Sequence, residues 1–201
     1  MLNPLLTPNH KSAILLQSAC NKIYSANIVK NNQCQFDEKL RYAEDWLFNI
    51  QYLTKADRIV FTKSNFYYYV KQVENSLSSN WRADSFEGEL HIIQKLRQFV
   101  PSFYCNKDIN TDILWAQYGC LKNYVYFNGM KGFKQYLNTL FCNIDLKNAY
   151  SRVNKYPKRF YKAKKAFQNN NIKGYFFWGI SQVRDTAIKY YLKRIIKIWT
   201  V

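Results

Sequence analysis

Apolar residues along this chain follow two regimes that divide near residue 80. In the first, the period changes several times. Residues 12–31 predict a helix, with Ser12 as N-cap and Ile14, Leu15, Ala19 and Ile23 on one face. Asn31-Asn32-Gln33 breaks it, and Phe36 to Ala43 reads as an extended or looped approach to Glu44-Asp45. Trp46, Leu47, Ile50, Tyr52 and Leu53 then mark the apolar face of a second helix, ending near Lys55-Ala56-Asp57. Arg58 to Thr62 and Asn65 to Val70 are β-branched and aromatic runs that predict two short strands.

From Trp81 onward a helical period dominates. Helices are expected over 84–100, before Pro101, and over 111–127, after an Asn110-Thr111-Asp112 start. Further helices are expected over 131–142, 158–169 and 186–199, with Asn169-Asn170-Asn171 as a low-complexity tract. The pattern therefore predicts an α+β, predominantly helical chain. A mixed segment over 1–80 carries a short two-strand element, and an all-helical extension follows over 81–201.

The charge sharpens that division. The net charge is +17, but residues 147–201 hold 14 basic residues against the single acid Asp185, a net of +13. Such a block suits phosphate-rich surfaces, either an anionic membrane or nucleic acid. No nucleic-acid motif accompanies the aromatic and basic run Lys158 to Lys165, which favours the membrane. On the last helix, Ile188, Leu192, Ile195 and Trp199 share one face, while Lys189, Lys193, Arg194 and Lys197 gather toward the other. A basic amphipathic helix ending in Trp is expected to face an anionic membrane; a helix packed on the protein's own core has the same pattern. The five cysteines are scattered without a C-x-x-C pair, which argues against a zinc ribbon or disulfide framework and for a reducing compartment. His10 and His91 stand alone and read as structural or exposed. Ala13-Ile14-Leu15-Leu16 lacks the basic start of a secretory leader, and no run reaches the roughly 20 apolar residues of a membrane span.

The pair Glu44-Asp45 at a helix start is a favourable arrangement with the helix dipole, and also a candidate for base chemistry. Its flanks favour the second reading. Cys20-Asn21-Lys22-Ile23-Tyr24, then Phe36-Asp37-Glu38-Lys39-Leu40-Arg41-Tyr42-Ala43-Glu44-Asp45-Trp46-Leu47-Phe48, then Phe66-Tyr67-Tyr68-Tyr69 leading to Asn75-Ser76-Leu77-Ser78 follow one another in order. Together these blocks resemble the acceptor-side, C-terminal half of a family 2 glycosyltransferase of the inverting GT-A type, over roughly residues 12–80.

That resemblance implies a truncated GT-A-like α/β segment and, for the whole family enzyme, transfer of a sugar from a nucleotide-sugar to a hydroxyl of a lipid-linked or glycan acceptor in bacterial surface-polysaccharide synthesis. It implies that Asp45 is the general base and that Glu44 orients it or bonds the acceptor. Trp46, Asn21 and Lys22 would bind acceptor, and Lys71, where the family usually has Arg, would meet phosphate as a point charge. The family's divalent metal, Mn or Mg, is held by an Asp-x-Asp motif that occurs nowhere in these 201 residues, and the nucleotide-binding half is absent with it. No cofactor is therefore expected in this chain, nor activity from it alone. The expected partners are a donor-half chain or a second copy joined through an exposed sheet edge, and an anionic membrane, with the protein cytoplasmic at the membrane's inner face. A non-catalytic membrane-associated module and one half of a split enzyme remain the alternatives.

Overall fold

The computed structural model describes residues 17–62, 67–68, 81–153, 155 and 157–199, with side chains as far as Leu192. Its helices are α1 (Ala26–Asn31), α2 (Glu44–Leu53), α3 (Ser85–Phe99), α4 (Pro101–Tyr104), α5 (Ile109–Asn128), α6 (Phe133–Cys142), α7 (Ile144–Arg152), α8 (Tyr161–Gln168) and α9 (Ile172–Trp199), with a 3-10 turn at Lys158–Phe160. Helix covers 67% of the described residues and no strand occurs among them.

The expected α+β class and its GT-A-like two-strand element are thereby overturned. Residues 58–62 are irregular, and Val60 and Phe61 are 76% and 74% exposed. A β-branched run gains its strand preference from packing against neighbouring strands, and this run has none among the described residues. Of the second expected strand, Tyr67 and Tyr68 lie outside any strand, and the rest falls outside the described residues. The sheet edge that would have paired two copies is not formed there.

The chain divides into two compact units, one of residues 1–80 with 94–106, the other of 81–93 with 107–201. In the first, α2 buries Leu47, Phe48 and Ile50. The Phe36 ring stacks on Phe48 at 4.4 Å, and Tyr24 meets Phe48 and Tyr52 edge-on at 5.2 and 5.1 Å. The helix expected over 12–31 is reduced to α1. Asn21 takes a left-handed φ of 56°, which no right-handed helix tolerates. The Ser18 carbonyl is bonded by the Lys22 ammonium and the Asn49 amide instead of a helical N–H. Residues 12–16 lie outside the described set.

The second unit is a helical cluster in which α9 packs against α5, α6 and α8, and α5 against α7. Its helix starts are set by side chains the sequence pattern left unread. Asp108 accepts the Asn110 N–H at 2.9 Å to open α5, and Asn143 accepts the Leu146 N–H at 3.0 Å to open α7. Helix α7 escapes a periodicity search because only Leu146, Ala149 and Tyr150 turn inward from a polar run. The asparagine tract is likewise a working joint. Asn170 is left-handed at φ 46°, and Asn171 accepts the Gly174 N–H at 2.9 Å, starting α9 fourteen residues before the expected 186. At the end of α5, Gly129 has φ 63°, and a Cβ there would meet the Tyr190 ring at 2.6 Å. Only glycine fits both demands.

Aromatic rings fill the interior. Tyr124 stacks on Tyr136 at 4.7 Å, Tyr150 on Phe167 at 4.4 Å, and Tyr175 on Trp178 at 5.3 Å. One polar group sits among them. The fully buried Gln117 of α5 donates to the Tyr175 hydroxyl of α9 and accepts from the Tyr150 hydroxyl of α7 at 2.8 Å. Burial pushes the Tyr175 phenol up, with the Gln117 bond opposing. Replacing one hydroxyl leaves a buried amide group unmatched, at a cost of about 1–3 kcal/mol. Tyr150→Phe is therefore expected to lower the unfolding free energy by that amount, and the urea midpoint with it, at unchanged helix content, as read by circular dichroism. An unchanged midpoint would show that the amide is satisfied otherwise.

Candidate active site around Asp45

The first unit brings two of the sequence blocks together. Ala43, left-handed at φ 59°, turns the chain into α2, so Glu44 and Asp45 occupy its first turn. Three polar side chains of α2, at 45, 49 and 52, follow one another at helical spacing on one stripe. Each holds the segment 18–25. Asp45 Oδ2 accepts the Ala19 N–H at 3.2 Å, and its Oδ1 accepts the N–H of Trp46 at 2.9 Å. Asn49 donates to the Ser18 carbonyl at 3.0 Å and accepts from the Tyr24 hydroxyl at 2.5 Å. The Tyr52 hydroxyl accepts the Ser25 N–H at 2.9 Å. Asn49 is almost wholly buried, so both its bonds run in low dielectric, where they are strongest.

Around the carboxylate the electrostatics are mixed. The Lys22 ammonium donates to the Ser18 and Cys20 carbonyls, the latter at 3.3 Å. Burial holds it below the ordinary lysine value, while the charges of Asp45 and Cys20 oppose that shift. Hydrogen bonds from Ser18 and then Tyr67 hold the Cys20 thiol below its ordinary value, with burial and Asp45 opposing and Lys22 assisting. The Tyr24 phenol is pushed up to about 12, first by burial and then by the Asp45 charge.

The remaining expected site residues are distributed unevenly. The Oε2 of Glu44 is buried with no hydrogen-bond partner among the described residues, and no bond joins it to Asp45. Trp46 is partly buried one residue on from Asp45, whereas Asn21 is exposed. Lys71 lies outside the described residues. Lys189 is exposed on α9, and Ile188 and Leu192 remain half-exposed. The side chains of Lys193, Arg194, Lys197 and Trp199 lie outside the described set. Among the described residues no group of three or more His, Cys, Asp or Glu side chains is placed to hold a metal ion. No described helix is long and apolar enough to cross a membrane.

Comparisons with protein-family models, with curated proteins and with solved structures find no significant match. Chemistry at this site therefore rests on its own residues. The sequence pattern does not single out Ser18 and Asn49, and it marks Ala19 and Tyr52 only as positions on apolar helix faces. Asn49 had a signal: an amide within an apolar helical run, one turn after Asp45, needs a partner when buried.

Two outcomes follow from this geometry. Asn49→Ala is expected to cost about 1–3 kcal/mol and to accelerate hydrogen exchange at the Ala19 amide, measured residue by residue by NMR. Unchanged exchange at Ala19 would show that the segment is held by other groups. For Tyr24, the folded state favours the neutral phenol over the ordinary value of 10.0. Its contribution to stability is complete below pH 10 and is lost as pH rises through about 12. The difference in alkaline absorbance titration between the parent and Tyr24→Phe is expected to isolate one late phenol; a phenol titrating at pH 10 would contradict that burial.

Proposed function

We infer that this chain is the acceptor-side part of an inverting glycosyltransferase of the family 2 kind, and that Asp45 is its general base. The single observation that carries the reading is the set of the Asp45 carboxylate, aimed by the Ala19 and Trp46 N–H groups and flanked by Lys22. The most specific block of the resemblance, Phe36 to Phe48, meets the Cys20 to Tyr24 block there. In this reading the acceptor hydroxyl gives its proton to Asp45 as it attacks the sugar's anomeric carbon from the face opposite the nucleotide. In this reading Glu44, the other carboxylate of the pair, orients Asp45 or bonds the acceptor, and its Oε2 is buried without a partner among the described residues.

In this reading the donor half is supplied by another polypeptide or segment, because the diphosphate leaving group needs charge stabilisation and the family's Asp-x-Asp motif is missing from this sequence. The isolated chain is accordingly expected to show no micromolar binding of nucleotide-sugars in calorimetric titration, with or without Mn²⁺. In membranes that carry out the transfer from radiolabelled nucleotide-sugar, Asp45→Asn is expected to reduce transfer by about 10²–10⁴-fold at unchanged protein level. Undiminished transfer by Asp45→Asn would remove the base assignment, and tight nucleotide-sugar binding by the isolated chain would remove the divided-enzyme reading.

A further inference from the structure

One face of the second unit joins aromatic rings to cations in a way that the sequence pattern of the tail did not single out. Along α5, Trp115, Tyr118, Lys122 and Tyr126 fall within one stripe at 100° per residue. From Trp115 to the end of α5 there is no carboxylate, the nearest along the helix being Asp112, one turn earlier. The 3-10 turn Lys158–Phe160 lies against this stripe. Its buried Phe160 meets Trp115 edge-on at 5.3 Å, and its Arg159 carbonyl accepts the Trp178 indole N–H at 2.9 Å. This seating places the Arg159 guanidinium 4.3 Å over the Tyr118 ring and 5.5 Å over Trp115, while the Lys122 ammonium lies 5.2 Å over Tyr118. Arg159 and Lys122 are exposed and meet no carboxylate among the described residues.

The chemistry of that arrangement is selective. A guanidinium seated over rings, with no carboxylate on its N–H groups among the described residues, offers those groups to the oxygens of a phosphate. The cations occupy ring faces that nucleobases would need for stacking, which weighs against single-stranded nucleic acid. Around them, Trp115 is 44% and Tyr161 64% exposed, each with an apolar body and a polar tip. Exposed Lys158 and Lys162 extend the positive charge. Tyrosine and tryptophan beside Lys and Arg, without carboxylates, is the composition that settles at the headgroup level of a bilayer.

We propose that this face, built on Trp115, Tyr118, Lys122, Arg159 and Tyr161, docks the protein on an anionic phospholipid bilayer. The phosphates are met by Arg159 and Lys122, and the rings enter the headgroup zone. The surface is independent of Asp45, so Asp45→Asn leaves vesicle binding unchanged whether or not the glycosyltransferase reading holds.

The test is co-sedimentation of the full chain with phosphatidylcholine vesicles, with and without about 30% phosphatidylglycerol, a fraction that gives a cytoplasmic-type negative surface potential. Binding is expected only to the anionic vesicles and is expected to weaken at high salt. Each cation at such a surface contributes about fivefold, so Arg159→Gln with Lys122→Gln is expected to weaken partition about 25-fold. Circular dichroism checks that this double variant keeps its helix. Arg184→Gln with Lys189→Gln, on the exposed part of α9, is expected to lose less than the first pair. Equal binding by the Arg159/Lys122 variant, or loss confined to the α9 pair, overturns the assignment. So does tighter, Arg159-dependent binding to an oligothymidylate than to vesicles.

Discussion

The site in the first unit depends on one buried amide. Asn49 fastens the Ser18 carbonyl with its N–H and the Tyr24 hydroxyl with its carbonyl oxygen. A group this buried cannot release either partner without stranding a polar atom away from water. The segment 18–25 is therefore held down one turn away from Asp45, and the Ala19 N–H arrives at the carboxylate as a consequence. The direction of Asp45 is inherited from a residue that has no chemistry of its own. Lys22 completes the turn by collecting two carbonyls that no helix claims.

The second unit uses the same device for a different end. Gln117 bonds hydroxyls from α7 and α9 while standing on α5, so three helices share one polar address in an aromatic interior. Ring stacking alone tolerates sliding, because it is only loosely directional. A satisfied amide in low dielectric does not, and it sets the register of the helices around it. In one unit the polar pair pins a loop at an open surface; in the other it pins helices to each other.

The amphipathic stripes were legible in the sequence because repeated burial on one face leaves a period. Residues 84–100, 111–127 and 131–142 gave helices within two residues of those observed, since Phe86, Leu114, Leu121, Leu137 and their neighbours repeat at helical spacing. Helix α7 and the first half of α9 were not, because their starts are made by Asn143 and Asn171, whose capping bonds leave no periodic trace. The strands over 58–62 and 65–70 were read from side-chain type alone, and type carries no information about whether a neighbouring strand exists. The site was legible in its acid, Asp45, and in Lys22. Its supports were not, because the N–H of Ala19 and the carbonyl of Ser18 belong to the backbone, which every residue shares. The charge pattern drew attention to the tail helix, whereas cations resting on rings appear only once α5 and the 3-10 turn meet.

The Trp178 indole has a consequence that reaches beyond packing. Its N–H holds the carbonyl of the very residue whose guanidinium lies on the outer aromatic stripe. A surface cation and a core ring are thus joined through one peptide unit. A ligand that engaged Arg159 only with Trp178 seated would favour that seating, and the seating would raise affinity at Arg159 by the same factor. The outer face of this unit is in that sense continuous with its interior, and rests on the same ring that fills it.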